Sequence, residues 1–377
     1  MALAMPSFDL AFIGFGAAAM SLIMRLEPSY KGRIAIIEPR ELPQNDQTWC
    51  GWPLTQHAFS DHATRRWPRW AVSHRGKEVV RNGQYAYEML SASGVQTISL
   101  QAAQRRTDWQ LFKGSSLKSA SFGNNQWALE LNTGEKFHAD YVLDSRPPSI
   151  HIQRPWLWQS FVGREVIGKF DSDPNTVRIM DFIPSSSALV TFVYELPLTA
   201  NHRLVEITQF TPTPANTDTL NTLLDEQLSL RGLSTATIHR QEQGHLPMQP
   251  IASYHHQQWL KIGTAGGSMR PATGYAFHAI QTWADQCAEG ILTGKGPTAP
   301  QRRRLMDWLD GVFLESLWQA PEQAPDRFMR LFERTAPDSL IRFLMGQPKA
   351  EDLLSVMSAL PVRPLLKAAL IRGLKTT

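Results

Sequence analysis

The sequence predicts an α/β fold, and three observations carry the prediction. Near the start, the apolar run at residues 10–13 breaks into Gly14-Phe15-Gly16 and passes at once into the small residues 17–21. More than 240 residues later, a second strand-like segment around Leu260 opens into Gly263-Thr264-Ala265-Gly266-Gly267, followed by Pro271 and Thr273-Gly274-Tyr275. Between these glycine turns, residues 161–167, 178–182, 188–194 and 203–210 read as successive strands rich in β-branched and aromatic side chains. A nucleotide-binding unit interrupted by a largely antiparallel sheet accounts for all three.

The first unit reads as a buried strand, a tight turn and a helix. Gly14 permits the turn, Gly16 lets the backbone approach a pyrophosphate, and Ala19, where a third glycine often sits, keeps helix and sheet close. The helix start then presents unpaired N–H groups to phosphate oxygens. A second strand, residues 33–37, ends at Glu38, roughly 20 residues on, where a carboxylate grips a ribose 2′-OH. Glu38 would repel a 2′-phosphate, so FAD or NAD is favoured there over NADP. Close helix–strand packing without a ligand is the alternative for such a turn.

A polar loop through Asp46 leads to Thr48-Trp49-Cys50-Gly51-Trp52. The aromatic and basic stretch 65–70 suits either a membrane-facing surface or stacking within a folded domain. Residues 127–131 and 137–143 form a hairpin around Asn132-Thr133-Gly134 and end in Asp144-Ser145-Arg146-Pro147-Pro148. In two-dinucleotide-type flavoproteins such a return strand comes back beside the cofactor. The strands from 161 to 210 then supply a floor or wall for a substrate cavity. A helix is expected over 219–229, followed by a strand and Gly244-His245-Leu246-Pro247-Met248. The second glycine turn introduces a helix from near Gly274 to about Glu289, whose positive end stabilises charge on a reduced flavin in FAD enzymes of the hydroxylase type. After the linker 294–300, Leu305, Leu309, Val312, Phe313 and Leu317 keep one helical stripe, favouring a helical cap on the core over membrane contact.

The fold expected is therefore a Rossmann-like FAD-binding domain of the hydroxylase/two-dinucleotide flavoprotein type, with an inserted antiparallel-sheet substrate domain and a C-terminal helical region. The boundaries read as 1–60 with 127–150 and 255–293 for the FAD-binding domain, 61–126 with 151–254 for the substrate domain, and 294–377 for the helices. The 377 residues allow two domains, and 42% hydrophobic with 19% charged residues describes a folded chain. No apolar run is long enough to span a membrane. The N-terminal apolar stretch lacks the basic flank of a signal peptide and carries Asp9. Two cysteines make neither a disulfide framework nor a metal site, and a reducing compartment fits them. A net charge of +4 without a basic block suits mild attraction to an anionic membrane and argues against nucleic acid. Twelve Trp and 17 Phe are enough to line a long apolar cavity, although an ordinary core also uses them.

Taken in order, these segments resemble the bacterial lycopene cyclases, flavoproteins that close β-rings on the ends of lycopene. The resemblance covers most of the chain. It rests on the Gly14/Gly16 turn, Thr48-Trp49, Leu143-Asp144-Ser145-Arg146, and Phe161-Val162-Gly163-Arg164-Glu165. It continues through Met180-Asp181, residues 192–198, Leu204-Val205-Glu206-Ile207-Thr208, Gly244-His245-Leu246-Pro247 and residues 266–275. The family's acidic strand motif usually carries two adjacent carboxylates before Thr; here Glu206 is followed by Ile207. Thr264 stands where many flavoproteins carry an Asp.

The resemblance implies an isomerisation run with reduced FAD, NADPH serving as reductant, on lycopene or a related acyclic carotenoid. It implies a cofactor site built from Gly14, Gly16, Ala19, Glu38, Trp49, Asp144, Gly266, Gly267, Pro271, Thr273 and Gly274. The resemblance gives Glu206 the role of proton donor; separately, Leu204, Val205, Ile207 and Phe210 make its strand apolar on both faces, where a charge is costly, and not the exposed strand face where most Glu residues are found. Asp181 and Glu165 are the other candidate acids. Since lycopene resides in the bilayer, a cytoplasmic protein peripherally associated with the inner face of the cytoplasmic membrane is expected. A flavin monooxygenase or reductase acting on another polyene is the competing enzyme, and a pigment carrier the non-enzymatic alternative.

Overall fold

The computed structural model describes residues 5–170, 172–184, 188–233 and 235–375. The chain begins with β1 (Ser7–Ile13), α1 (Ala17–Leu26) and β2 (Ile34–Glu38). β1 and β2 pair in parallel, with Leu10 opposite Ile34 and Ile13 opposite Ile37. Phe8, Leu10, Ala11, Phe12 and Ile13 are all buried, because a central parallel strand is covered on both faces. Next come β3 (Thr48–Gly51), β4 (Arg65–His74) and β5 (Lys77–Ser91), then α2 (Ala92–Gln104), β6 (Trp109–Lys113), β7 (Leu117–Gly123), β8 (Gln126–Leu131) and β9 (Lys136–Asp144). The antiparallel region follows: β10 (Leu157–Ile167), β11 (Thr176–Phe182), β12 (Val190–Pro197), β13 (His202–Thr211), α3 (Thr217–Leu230) and β14 (Thr237–Met248). β15 (His255–His256), β16 (Trp259–Lys261) and α4 (Phe277–Leu292) return to the first sheet. The chain closes with α5 (Arg304–Gln319), α6 (Ala324–Arg334), α7 (Pro337–Leu344), α8 (Ala350–Ala359) and α9 (Val362–Lys375).

Two sheets result. The first runs β15-β16-β9-β1-β2-β6, with β8 paired to β9 and β7 to β8. Its core joins β1 and β2 to α1, α2 and α4 through Phe12, Ile23, Ile36, Val95 and Ile280. The second runs β14-β10-β13-β12-β11-β4-β5-β3. The period of two along β13 divides its side chains between two environments. Val205 and Ile207 pack on α3 with Leu220 and Leu224. Leu204 and Phe210 face the other way, into a core shared with Phe328, Leu331, Phe332, Leu340 and Ile341 of α6 and α7.

The α/β fold with its antiparallel sheet and C-terminal helices is as expected, but the sheets divide the chain differently. α2, β6 and β7 belong with the first sheet, β6 lying parallel to β2, whereas residues 61–126 were expected in the substrate domain. β3 pairs with β5 in the second sheet, although 1–60 was expected in the first. The physical reason is that parallel pairing is made by a crossover, here α2, and strand composition alone does not say which sheet receives it. α4 starts at Phe277, three residues after Gly274, because Gly274 sits at φ +72° in the turn before it. The stretch 65–70 is β4. Trp67 and Trp70 are fully buried, and Trp67 Nε1 donates to the Pro197 carbonyl at 2.8 Å, so neither indole is a surface anchor.

Candidate active site

Two cavities meet beneath the glycine turn. One, of about 320 Å³, is lined by Gly14, Phe15, Gly16 and Glu38. The other, of about 710 Å³, runs between the sheets past Trp49, Tyr275, Glu206 and Glu242 to Phe328 and Phe332 of α6. Gly16, Trp49, Ser145 and Pro147 border both.

The smaller cavity has the build of a dinucleotide cradle. Gly14 adopts φ +89°, and a Cβ there would strike Ser145 Oγ. Gly16 is different: a Cβ would meet no protein atom within 4 Å and would instead project into open space. Gly16 is also the N-cap of α1, with no side chain capping the helix, so its first N–H groups remain available to an anion. Glu38 Oε2 accepts from Phe15 N at 2.7 Å and Oε1 from Arg40 N at 3.1 Å, which fixes the loop while leaving lone pairs toward the cavity. Ala19 is fully buried between helix and sheet. A dinucleotide such as FAD fits this donor set: α1 for the pyrophosphate and Glu38 for ribose hydroxyls. At the boundary of the larger cavity, Trp49 stacks on Phe277 at 5.2 Å, and Thr273 and Gly274 line the wall before α4. α4 also begins without a side-chain cap, and Ala276, Phe277 and Ile280 face the cavity.

The acid end is built by register. Gly163 on β10 lies opposite Glu206 on β13 and opposite Glu242 on β14. A Cβ on Gly163 would come within 3.3 Å of both glutamate side chains, so the two carboxylates reach the cavity across a missing side chain. They are 8% and 7% exposed. Glu206 Oε1 accepts from Thr208 Oγ1 at 2.7 Å. Burial first, and then the charge of Glu242, push the Glu206 carboxyl up to about 8 against the opposing pull of Thr208 and Arg240. Glu242 is better supplied: its Oε2 accepts from Thr48 Oγ1 and from Arg240 Nη1, each at 2.7 Å. Burial raises it as well, but these two donors oppose the rise. Tyr194, opposite Glu206 in the β12–β13 register, hydrogen-bonds Tyr87 at 2.8 Å, and Tyr87 lies 3.3 Å from the Tyr275 hydroxyl. Burial pushes all three phenols up, so they stay neutral, and their hydroxyls pair with one another. The remaining wall is apolar and aromatic, including Phe161, Phe192 and Phe210.

A second buried carboxylate lies behind α4. His57 Nε2 and His278 Nε2 reach Glu88 Oε1 at 2.6 and 3.0 Å, and Arg66 Nη2 reaches Oε2 at 3.1 Å. His57 Nδ1 accepts from Phe59 N, which leaves its Nε2 as the donor. Two imidazoles and a carboxylate are metal-ligand types, but here both nitrogens point at one oxygen as hydrogen-bond partners. Burial opposes the Glu88 charge, yet His278 and His57 outweigh it and bring the carboxyl down to about 2.

Several expected site residues lie elsewhere. Asp181 accepts from Ser73 Oγ at 2.7 Å and pairs with Arg231 at 2.6 Å, while its neighbours Ile179 and Met180 line the cavity. Glu165 is buried one step behind the acid end, held by Arg240 at 2.6 Å and His202 at 3.2 Å. Asp144 is turned from both cavities into a cluster of Arg146, Lys261 and Trp259 donors. Burial works against its charge, but Arg146 and Lys261 keep the carboxyl below the usual range. Gly266 and Gly267 shape the turn: a Cβ on either would strike a backbone carbonyl, that of Lys261 or Ile251. They and the buried Pro271 do not line the cavity, whereas Gly263 and Thr264 do. Glu242 and Gly163 escaped the sequence reading. Both lie within or beside quoted stretches, but only pairing of β10 with both β13 and β14 brings them together.

The sequence profile of the family described as "Lycopene cyclase protein" matches residues 9–370. The chain is 22% identical over 401 aligned residues to the lycopene beta-cyclase of Pantoea ananas, covering 99% of each. In fold it is similar to a geranylgeranyl bacteriochlorophyll reductase-like protein of Thermoplasma acidophilum, with a TM-score of 0.72 at 14% identity over 97% of this chain and 99% of that one. A flavoprotein/dehydrogenase of Cytophaga hutchinsonii superposes with a TM-score of 0.63 at 11% identity, over 97% of this chain and all of the other. The fold is thus that of FAD-dependent monooxygenase- and reductase-like flavoproteins, and the profile match across nearly the whole length identifies the chain as a member of the lycopene cyclase family.

Proposed function

We propose that the protein is a lycopene beta-cyclase that converts the ψ-ends of lycopene or a related acyclic carotenoid to β-rings, as in γ- and β-carotene, without net redox change. The observation that carries this reading is Glu206: a buried carboxyl with Thr208 as its hydroxyl donor, at the wall of an apolar, aromatic cavity, where burial and the neighbouring Glu242 favour its protonated form. Such a polyene has no polar handle, so binding falls to apolar burial and catalysis to a placed acid. Glu206 donates its proton to the terminal double bond, and a tertiary cation forms. The neighbouring alkene attacks that cation and closes the ring. Loss of a ring proton to the Glu206 carboxylate leaves the β-ring, so one proton enters and one leaves. Aromatic faces such as Tyr87, Phe192 and Phe210 stabilise positive charge. The mutually bonded phenols hold their hydroxyls together instead of offering them to the cation.

Gly14, Gly16, Glu38 and the α1 N-terminus would hold FAD, which in its reduced form would supply negative charge to offset a developing cation, with NADPH as the reductant. The α4 N-terminus favours that negative charge from the protein side.

The protein is further proposed to collect its substrate at the inner face of the cytoplasmic membrane. Among the described residues no single helix is long and apolar enough to cross a membrane. α8 and α9 nevertheless expose Leu354, Met357, Val362, Leu366 and Leu370, with Arg363 and Lys367 also exposed on α9, a composition suited to an anionic interface.

The test is lycopene turnover in liposomes with chemically reduced FAD, counting reductant consumed per ring formed. A cyclase makes rings with no stoichiometric consumption; one reductant per product identifies a redox flavoenzyme instead. In parallel, Gly16→Val fills the open space of the cradle and is expected to abolish FAD retention, read as flavin absorbance following the protein peak. Undiminished FAD affinity in that variant removes the assigned cofactor site.

A further inference from the structure

We propose that Glu242 is the positioning partner of Glu206: the two carboxylates share a single proton across Gly163, with Glu242 held as the anion so that Glu206 carries the proton. The inference rests on the cyclase reading for its consequence, but its geometry stands by itself. Register places both glutamates against one glycine, and the space a Gly163 side chain would take is bounded by both. Their partners differ. Glu242 has the Arg240 guanidinium and the Thr48 hydroxyl; Glu206 has Thr208 alone. Two buried carboxylates side by side cannot both ionise cheaply, and the one with the cation keeps the charge.

The position beside Glu206 does not face this cavity. Ile207 points to the opposite face, fully buried against α3. A carboxylate at that position would lie behind the sheet; the second acid of this cavity is Glu242 of β14. Arg240 extends the assembly: besides Glu242 it holds Glu165 at 2.6 Å and Thr48 Oγ1 at 2.7 Å, tying the acid end to the strand that carries Trp49.

Other titratable groups face the pair. From β12 comes Tyr194, from β3 Cys50, from β5 Tyr87, and from the turn before α4 Tyr275. Burial is the leading cause that pushes each of these up, so all four remain neutral; the charges about the pair are Arg240 and, on its far side, Glu165, while His245 of β14 lines the same cavity with its Nδ1 bonded to Ser160 Oγ at 2.9 Å.

The measurement is an infrared titration of the protonated carboxylic C=O stretch in the FAD-loaded protein, read beside the pH profile of lycopene turnover. Wild type should show a band that persists at neutral pH and fades in the alkaline range, and Glu206→Gln should lack it. A band of undiminished intensity at neutral pH in Glu206→Gln shows that the proton is not on Glu206 and overturns the proposal. Glu242→Gln should lower the Glu206 midpoint, and the alkaline limb of turnover with it, by about one pH unit or more. Glu242→Asp should restore most of the shift. An unmoved midpoint in a folded Glu242→Gln also overturns it. Should that variant not fold, the Glu206→Gln spectrum alone decides. Wild type that shows the shared proton but makes no rings from lycopene sinks the cyclase reading and leaves the pair standing.

Discussion

Glu88 and Glu206 are the same side chain, both buried, one at 0% and the other at 8% exposure, and they are driven to opposite protonation states. Glu88 is surrounded by donors, His57, His278 and Arg66, and its carboxyl falls to about 2. Glu206 has one hydroxyl donor and another carboxylate across Gly163, and it rises to about 8. Burial acts in the same direction on both, so it is the neighbours that decide. The division follows function. Glu88 joins the first turn of α4 to β4, β5 and the His57 loop, and so fixes the helix that ends at the cavity. Glu206 stands on the cavity wall, where the proposed reading gives it the role of acid.

The comparison predicts opposite phenotypes. The largest effect is expected for Glu206→Gln, which keeps shape and polarity but carries no acidic proton. It should fold and bind FAD yet lose lycopene cyclisation by at least ~10²-fold, the usual cost of removing a general acid. Near-wild-type turnover with chemically reduced FAD would return Glu206 to a structural role.

Glu88→Ala should do the reverse to the protein's economy of contacts, leaving two imidazoles and Arg66 without their common acceptor. A loss of about 3 kcal/mol in urea unfolding is expected, in the range for breaking a buried pair. Turnover per folded, FAD-loaded molecule should change far less than in Glu206→Gln. A variant as stable as wild type would show that the network carries no weight.

The pH dependence of stability separates the two by sign. The Glu88 carboxyl lies below its ordinary 4.5, so its contribution is full above that value and is lost as pH falls toward about 2. The Glu206 carboxyl lies above 4.5, so its contribution is full below that value and is lost as pH rises through about 8. Urea midpoints taken across pH should therefore lose part of their acid limb in Glu88→Gln and part of their alkaline decline in Glu206→Gln. Equal changes in both limbs for both variants would break the comparison. The smallest effect is expected for Thr208→Val. Removing the hydroxyl donor should raise the Glu206 titration further, by less than about one pH unit, seen in the infrared titration, with turnover little altered.

Local pattern made much of this protein legible. Gly14, Gly16 and Glu38 announce their turn and strand end through spacing alone, because a phosphate-binding turn is a contiguous piece of chain. Glu206 stands out because a carboxylate inside a strand apolar on both faces violates the alternation of an exposed edge. What pattern did not distinguish was direction and partner. Asp181, Glu165 and Asp144 have the same residue type and similar strand settings, yet each is turned into an ion pair outside the cavity. Trp67 and Trp70 resemble an interfacial stretch and are core. The sequence by itself determined the glycine turn, the class of fold and the buried acid, since these follow from neighbours along the chain. Only the tertiary structure decided that Glu242 faces Glu206 across Gly163, that Ile207 looks away, and that Glu88 is held by two histidines. Each of these contacts joins residues from separate strands, loops or helices, and register and packing between elements, not local preference, set which side chains meet.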